Sequence, residues 1–538
     1  LKKIEEKEKK ETEEKIKKSY FLLADNVKAD VKIYRKREDY VSRYDITYPE
    51  IKEATSALLG SIKGELIRSL GIKGSEILDP QIMEKVKEES LSKAEELIKN
   101  HIPHISEEKR KTLAGELLHE MFGLGPIELL LRDDDLEEIV INNSVEPLWV
   151  YHKEFGWLKS NITLKGEEEV YNYASMIGRR IGRQITSLMP LMDAHLISGD
   201  RVNATLFPIS TKGNTLTIRK FARNPWTIIH LIDPKVNTLS KEVAALLWLC
   251  IEYEMNMIIA GGTASGKTSL LNALTPFMPP TNRIVSIEDT RELQLPEFLH
   301  WVPMTTREPN PEGKGEVSML ELMINSLRMR PDRIIVGEIR RQRQAEVLFE
   351  AMHTGHSVYS TLHANTADEV RRRMINPPIS LPETMLEALH LTCVQFRQRR
   401  LGIRRTFEVG EFVTTREPSG KTKVAVNVLY NWNPRTDQLE KIRKSAKLSD
   451  ISMRLVEEIQ MHTGMSEIEL ENNIKEKINI LQWAIDNNVK TVNTVGKIMA
   501  DYYKDKDYVL SIVKRNEKPQ NIFEKDLLEE MKIRGLIK

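Results

Sequence analysis

Gly261, Gly262, Thr263, Ala264, Ser265, Gly266, Lys267, Thr268 and Ser269 place glycines, one lysine and a hydroxyl at the spacing of a phosphate-binding loop. Glycine lets backbone N–H groups turn inward around phosphates, and a following helix adds its partial positive end. In that chemistry Lys267 reaches the β- and γ-phosphates and the Thr268 hydroxyl is placed for Mg²⁺, so ATP and Mg²⁺ are the expected ligands. Glu338 ends the apolar run Arg333–Val336 and its glycine, and Gly337 stands where an aspartate is usual. Glu338 is therefore expected to take Mg²⁺, directly or through a water. Glu288 and Asp289 follow a third apolar run, Arg283–Ile287. Two carboxylates on a strand flanked by the phosphate loop and Glu338 could orient a water for in-line attack, with Glu288 the activating group. His353, His356 and His363 surround Ser357–Leu362. They suggest a metal at first sight. A γ-phosphate sensor at His363 is the better reading, with His353 structural.

These residues need elements to hold them. Met255–Ala260 has strand length, the loop follows at once, and SLLNALTPF continues as a helix. From there strands and helices alternate to about Phe412, the pattern of a parallel sheet with crossover helices, with Arg330-Pro-Asp332 ending a long helix. The linker 224–238 carries two prolines. Before it, residues 114–223 read as a small α/β domain with strands near Leu136–Asn142, Pro147–Tyr151, Val202–Phe207 and Leu216–Lys220. Residues 19–113 read as mostly helical, with one short strand at Val31–Tyr34. Residues 1–18, charged in both signs, read as a flexible segment or a frayed helix. The ATPase domain spans 239–448 and a helical region 449–538, where Ser449 and Asp450 could cap one helix and Ser466 with Glu469 another.

A length of 538 residues predicts two to four domains. Lys plus Arg number 80 against 79 Asp plus Glu, and this near balance argues against a dedicated nucleic-acid binder. Cys250 and Cys393 can build neither a disulfide framework nor a CxxC zinc site, which fits a reducing compartment. The apolar stretch Ala244–Ala260 is broken by Glu252, Glu254 and Asn256. The chain opens on a lysine and glutamate run without a targeting pattern, and its start at Leu1 suggests trimming. The expected location is the cytoplasm, with peripheral contact to the cytoplasmic membrane.

The ordered boxes GGTASGKTS, SIEDTRELQLP, RIIVGEIR and MHTGHSVYSTLHANT closely resemble the secretion ATPase superfamily, whose members drive type II and type IV secretion, type IV pili and the archaellum. The wording is most like the archaeal branch. GLGPIE, ISGDRVNATLFP and LTIRKF resemble its N-terminal domain, so the likeness extends from about Gly123 to Phe412. The resemblance implies an α/β architecture: a RecA-like P-loop core preceded by a smaller, PAS-like α/β domain and flanked by helical regions. It also implies a homohexamer that grips a polytopic membrane platform protein, with nucleotide at the cleft between domains. By position, Lys267 and Thr268 match the Walker A motif, Glu288 the catalytic glutamate of the aspartate box, Glu338 the atypical Walker B and His363 the histidine box. Arg201 and Arg219 match N-terminal-domain arginines that reach the phosphates when the cleft closes. The four-cysteine zinc module of many bacterial members is missing, so no zinc is expected. Two other readings are a DNA-translocating conjugation-type ATPase, for which Arg397–Arg400 with Arg404 and Arg405 would be the basic stripe, and a nucleotide-gated scaffold. Lys267, Glu288 and Glu338 together speak against the scaffold.

Overall fold

The computed structural model describes residues 15–48, 53–70, 80–196, 199–221, 224–309, 313–416, 422–443 and 447–533. The first fourteen residues of the charged opening lie outside that range. The chain divides into two compact units, Leu1–Arg223 and Asn224–Lys538.

In the first unit the described strands are β1 (Lys15–Ala24), β2 (Val27–Arg35), β3 (Arg43–Thr47), β4 (Leu136–Ile141), β5 (Trp149–His152), β6 (Gly156–Ser160), β7 (Leu191–His195), β8 (Arg201–Thr205) and β9 (Thr215–Arg219). They form one sheet in the order β1-β2-β3-β6-β5-β4-β9-β8-β7. The region 19–113 is thus not mostly helical at its start, and residues 15–18 begin a strand, not a frayed helix. The reason is a period of two. Along β2, Val27, Ala29, Val31 and Ile33 are buried while Lys28 and Asp30 face outward. Asp25 and Asn26, both at positive φ, close the β1–β2 hairpin as such a turn requires. The Tyr20 and Tyr44 hydroxyls then donate to Asp133 at 2.6 and 2.7 Å, and Lys18 donates to Asp135 at 2.7 Å, fixing these strands to the loop before β4. Helices Glu53–Leu70, Pro80–His101 and Glu107–Phe122 bury their own cluster around Ile62, Leu66, Ile98 and Leu117.

In the second unit the strands are β10 (Met257–Gly261), β11 (Ile284–Glu288), β12 (Trp301–Thr305), β13 (Arg333–Val336), β14 (Ser357–Leu362), β15 (Leu391–Gln398), β16 (Ile403–Arg416), β17 (Thr422–Asn433) and β18 (Gln438–Lys441). Their order is β12-β11-β13-β14-β10-β15-β16-β17-β18. Each neighbouring pair from β12 to β15 is parallel, with the phosphate-loop strand β10 between β14 and β15, which is a RecA-like arrangement. β16, β17 and β18 run antiparallel. The parallel sheet therefore stops at β15, because the turn 399–402 is too short for a crossover helix and folds the chain straight back.

Three further expectations shift. The helix before Arg330 is the short Met319–Ser326 followed by one 3₁₀ turn. The segment 224–238 contains a helix, Ile228–Ile232, whose Ile228, Ile229, Leu231 and Ile232 are buried, so it is packed core and not a free linker. Ser449 and Asp450 cap nothing, since the helix there begins at Leu455. Ser466 and Glu469 do form a reciprocal capping box on Glu467–Asp486. This helix, with Val492–Lys504 and Lys506–Arg515, shares one apolar core with Lys241–Glu252 and the phosphate-loop helix Lys267–Leu274.

Candidate functional site

The C-terminal edge of the parallel sheet collects the sequence-predicted residues of the second unit. β10 is fully buried and delivers the chain to Gly261, whose φ of 150° is open to glycine. A Cβ there would lie 2.4 Å from Ser265 Oγ and 2.5 Å from the Gln395 carbonyl, so only a bare backbone fits. Gly266 at φ 96° turns the loop into the helix Lys267–Leu274. The Ser265 hydroxyl donates to the Gly262 carbonyl at 2.8 Å, and Arg404 Nε donates to the Ala264 carbonyl at 3.2 Å, bracing the loop from both sides. Thr268 is half-buried and Ser269 exposed on the first turn; Thr263 and Ala264 form the exposed crest.

Strand order sets the rest. Moving away from β10, the next tips carry His363 (after β14), Glu338 (after β13) and Glu288 (β11). β11 is flanked by β12 and β13, not by the phosphate loop; at about 4.8 Å per strand its axis lies roughly 14 Å from β10. Lys267 Nζ stands 3.3 Å from His363 Nδ1, and His363 Nε2 stands 3.1 Å from Glu338 Oε1. Burial, then the neighbouring Lys267 charge, holds the His363 pKa below its ordinary value. A neutral ring then accepts from Lys267 at Nδ1 and donates from Nε2 to Glu338, a tautomer assigned from the network. Burial also lowers the Lys267 pKa, against the pull of Glu338.

Glu338 Oε2 accepts from Arg340 Nη2 at 2.8 Å and Nε at 3.1 Å, while Arg340 Nη1 donates to Asp289 at 2.8 Å. Arg340 thus bridges the carboxylates of two adjacent strand tips. Sequence reasoning passed over it, although it sits two residues beyond Glu338 in the same box. Glu288 is buried at 3% exposure. Its Oε1 accepts the backbone N–H groups of Glu292 and Leu293 at 2.8 and 3.1 Å. Its Oε2 is buried with no hydrogen-bond partner among the described residues. Burial pushes the Glu288 pKa up to about 7, only partly offset by those two amides.

The histidines separate. His356 precedes β14 and His363 follows it, about 20 Å apart along an extended strand. Among the described residues no His, Cys, Asp or Glu cluster could hold a metal by itself. His353 Nε2 lies 3.2 Å from the Met385 carbonyl, a structural contact. The oxygen donors Thr268 and Glu338 suit a hard cation such as Mg²⁺, which completes its shell with substrate and water. A cavity of about 240 Å³ opens among Ile232, Leu239, Thr406, Trp432, Asp437 and Leu439. Thr406 pairs with Gln395, which pairs with Gly261, so the cavity wall is two strands, roughly 10 Å, from the phosphate loop.

In the first unit Arg201 and Arg219 are direct partners across β8 and β9, both exposed. Like charges placed opposite each other oppose sheet formation, and Glu138, which faces Arg219 from β4, offsets this on one side.

The profile of the family described as type II/IV secretion system protein matches residues 172–395. An uncharacterized Methanocaldococcus jannaschii protein is 38% identical over 62% of this chain and 60% of its own length. A second M. jannaschii protein is 37% identical over 46% of this chain and 88% of its own. The type IV secretion system protein PtlH of Bordetella pertussis is 29% identical over 57% of this chain and 94% of its own. The chain thus spans less than two thirds of the first of these relatives. No helix among the described residues is long and apolar enough to cross a membrane. On the profile match and the nearly full-length coverage of the second relative, the chain belongs to the type II/IV secretion system protein family.

Proposed function

We propose that the chain is the ATP-hydrolysing motor subunit of a secretion or filament-assembly machine, working as a homohexamer on a membrane platform protein from the cytoplasmic side. The observation that supports it most is the buried Glu288 oxygen without a partner, on the same sheet edge as the phosphate loop and Glu338. Buried polar atoms are rarely left unpaired, and an unpaired carboxylate oxygen at that edge is a ready acceptor for a water proton.

In this reading Lys267 and the loop amides hold the β- and γ-phosphates, and the base occupies the cavity beside Trp432. Thr268 and Glu338 would hold Mg²⁺, which supplies charge neutralisation on the phosphates. Glu288 takes the proton of the attacking water. His363 leaves its bond to Lys267 to meet the γ-phosphate, and Arg201 and Arg219 add positive charge where it develops. The contacts Lys267–His363–Glu338–Arg340–Asp289 link these groups into one continuous polar chain along the sheet edge.

Purified full-length protein should hydrolyse ATP, and Lys267→Ala and Glu338→Ala should each reduce the rate by at least about a hundredfold. Ordinary turnover in either variant would refute the assignment.

A further inference from the structure

We propose that the helix Val492–Lys504, which lies beyond the stretch matched by the family profile, is the positioning element for the Glu288 carboxylate. The proposal rests on the hydrolytic reading of Glu288 given above.

A glycine inside a helix costs about 1 kcal/mol relative to alanine, so it needs a reason. Gly496 is the fifth residue of this helix, and a Cβ on it would lie 2.4 Å from Pro296 Cγ, 2.8 Å from Pro296 Cβ and 3.3 Å from Phe298 Cζ. One turn earlier, Asn493 Oδ1 accepts the backbone N–H of Glu297 at 3.1 Å. The helix therefore meets residues 296–298 at backbone distance and pins them with a hydrogen bond. Those residues end the stretch whose start grips Glu288 through the amides of Glu292 and Leu293. Midway, Gln294 N–H donates to Asn272 Oδ1 on the phosphate-loop helix at 2.8 Å. Leu293 and Leu295 are buried in the same large apolar core as Val495 and Ile498.

The other end of the helix reaches the phosphate-loop side. Tyr503 OH donates to the Phe277 carbonyl at 2.6 Å and accepts from Trp248 Nε1 at 2.9 Å. Phe277 lies in the 3₁₀ turn that continues the phosphate-loop helix. One rigid helix thus touches both the stretch that holds the base and the tail of the helix that begins with Lys267. It sets the separation of the two, which an in-line attack must keep to a fraction of an ångström. The C-terminal region thereby gains a role in the chemistry without touching substrate.

The test uses full-length protein carrying Asn493→Ala, Asn493→Asp or Gly496→Ala, with wild type and Lys267→Ala alongside. Asn493→Ala should lower kcat about fivefold or more and Gly496→Ala about tenfold or more, while KM for ATP and the affinity for a fluorescent ADP analogue stay within about twofold. Asn493→Asp keeps the acceptor oxygen and should recover most of the lost kcat. The proposal is overturned if the aspartate variant is no better than the alanine one, if KM and kcat deteriorate together, or if the variants lower the melting temperature while turning over like wild type. Wild-type ATP hydrolysis that Lys267→Ala removes, together with indifference to changes at 493 and 496, sinks this inference alone. A wild type without Lys267-dependent hydrolysis removes the underlying reading and this inference with it.

Discussion

Glu288 carries two demands that conflict. Folding puts its carboxyl in a poorly solvated place, while the hydrolysis proposed above needs it ionised. With its pKa pushed up to about 7, the sign is clear: the raised folded value means that folding favours the protonated form, so stability declines as pH climbs from the ordinary carboxyl range through about 7. The rate should move the other way, kcat rising with an inflection near neutrality, as a pH–rate series would record. Glu288→Gln removes the charge while keeping the shape. It should abolish hydrolysis yet raise the melting temperature by ~2–4 °C at pH 8, a trade expected of a strained reactive group. An unchanged or lower melting point there would mean that the carboxyl is well solvated. Gly261 makes a second residue-scale case. Gly261→Ala must displace Ser265 Oγ or the Gln395 carbonyl, so nucleotide affinity should drop at least about tenfold in a binding titration.

At the scale of elements, the C-terminal helix Glu467–Asp486 is joined to the helix Lys241–Glu252 by an ion pair inside the core. Lys477, fully buried, is ion-paired with Glu252 at 2.7 Å, donates to Tyr502 at 3.3 Å, bonds Asn473, and lies 5.1 Å from the Trp248 ring centre. Burial lowers its pKa, with Glu252 opposing. Lys477→Met strands Glu252 and should cost about 3–5 kcal/mol in denaturant unfolding, whereas adding Glu252→Leu should return much of it. Additive losses would mean that the pair is uncoupled. This element was only half legible. A strand, a glycine loop and a helix in immediate succession made that local unit readable, because short-range spacing alone builds it. The strands β1 and β3 went unread because their short alternation is mixed with charge. The placement of β11 beyond β13 could not be read because strand order depends on which side of the sheet each crossover takes. Gly496 takes its meaning only from Pro296, which packs against it from far away in the chain. Arg340 needed Asp289, 51 residues earlier, to acquire meaning.

For the molecule as a whole, the second unit holds the loop and carboxylates, and the first holds the Arg201–Arg219 pair to which the proposed mechanism gives a part. If those arginines act only during turnover, Arg219→Ala should lower kcat about a hundredfold and leave ATP affinity within about threefold. Equal losses in steady-state kinetics and equilibrium binding would instead make Arg219 a simple binding group. A ring further requires that specific activity rise with protein concentration as subunits associate, which dilution assays can follow. Both thiols of the chain, Cys250 and Cys393, lie in the core of the second unit with no exposed surface, and burial pushes the Cys393 pKa up to about 12. Alkylating reagents should therefore pass the native protein by, and each modified sulfur would count one excursion in which that core came apart. The chain carries its own clock for spontaneous opening, and a cysteine engineered onto the surface could be labelled against a silent background.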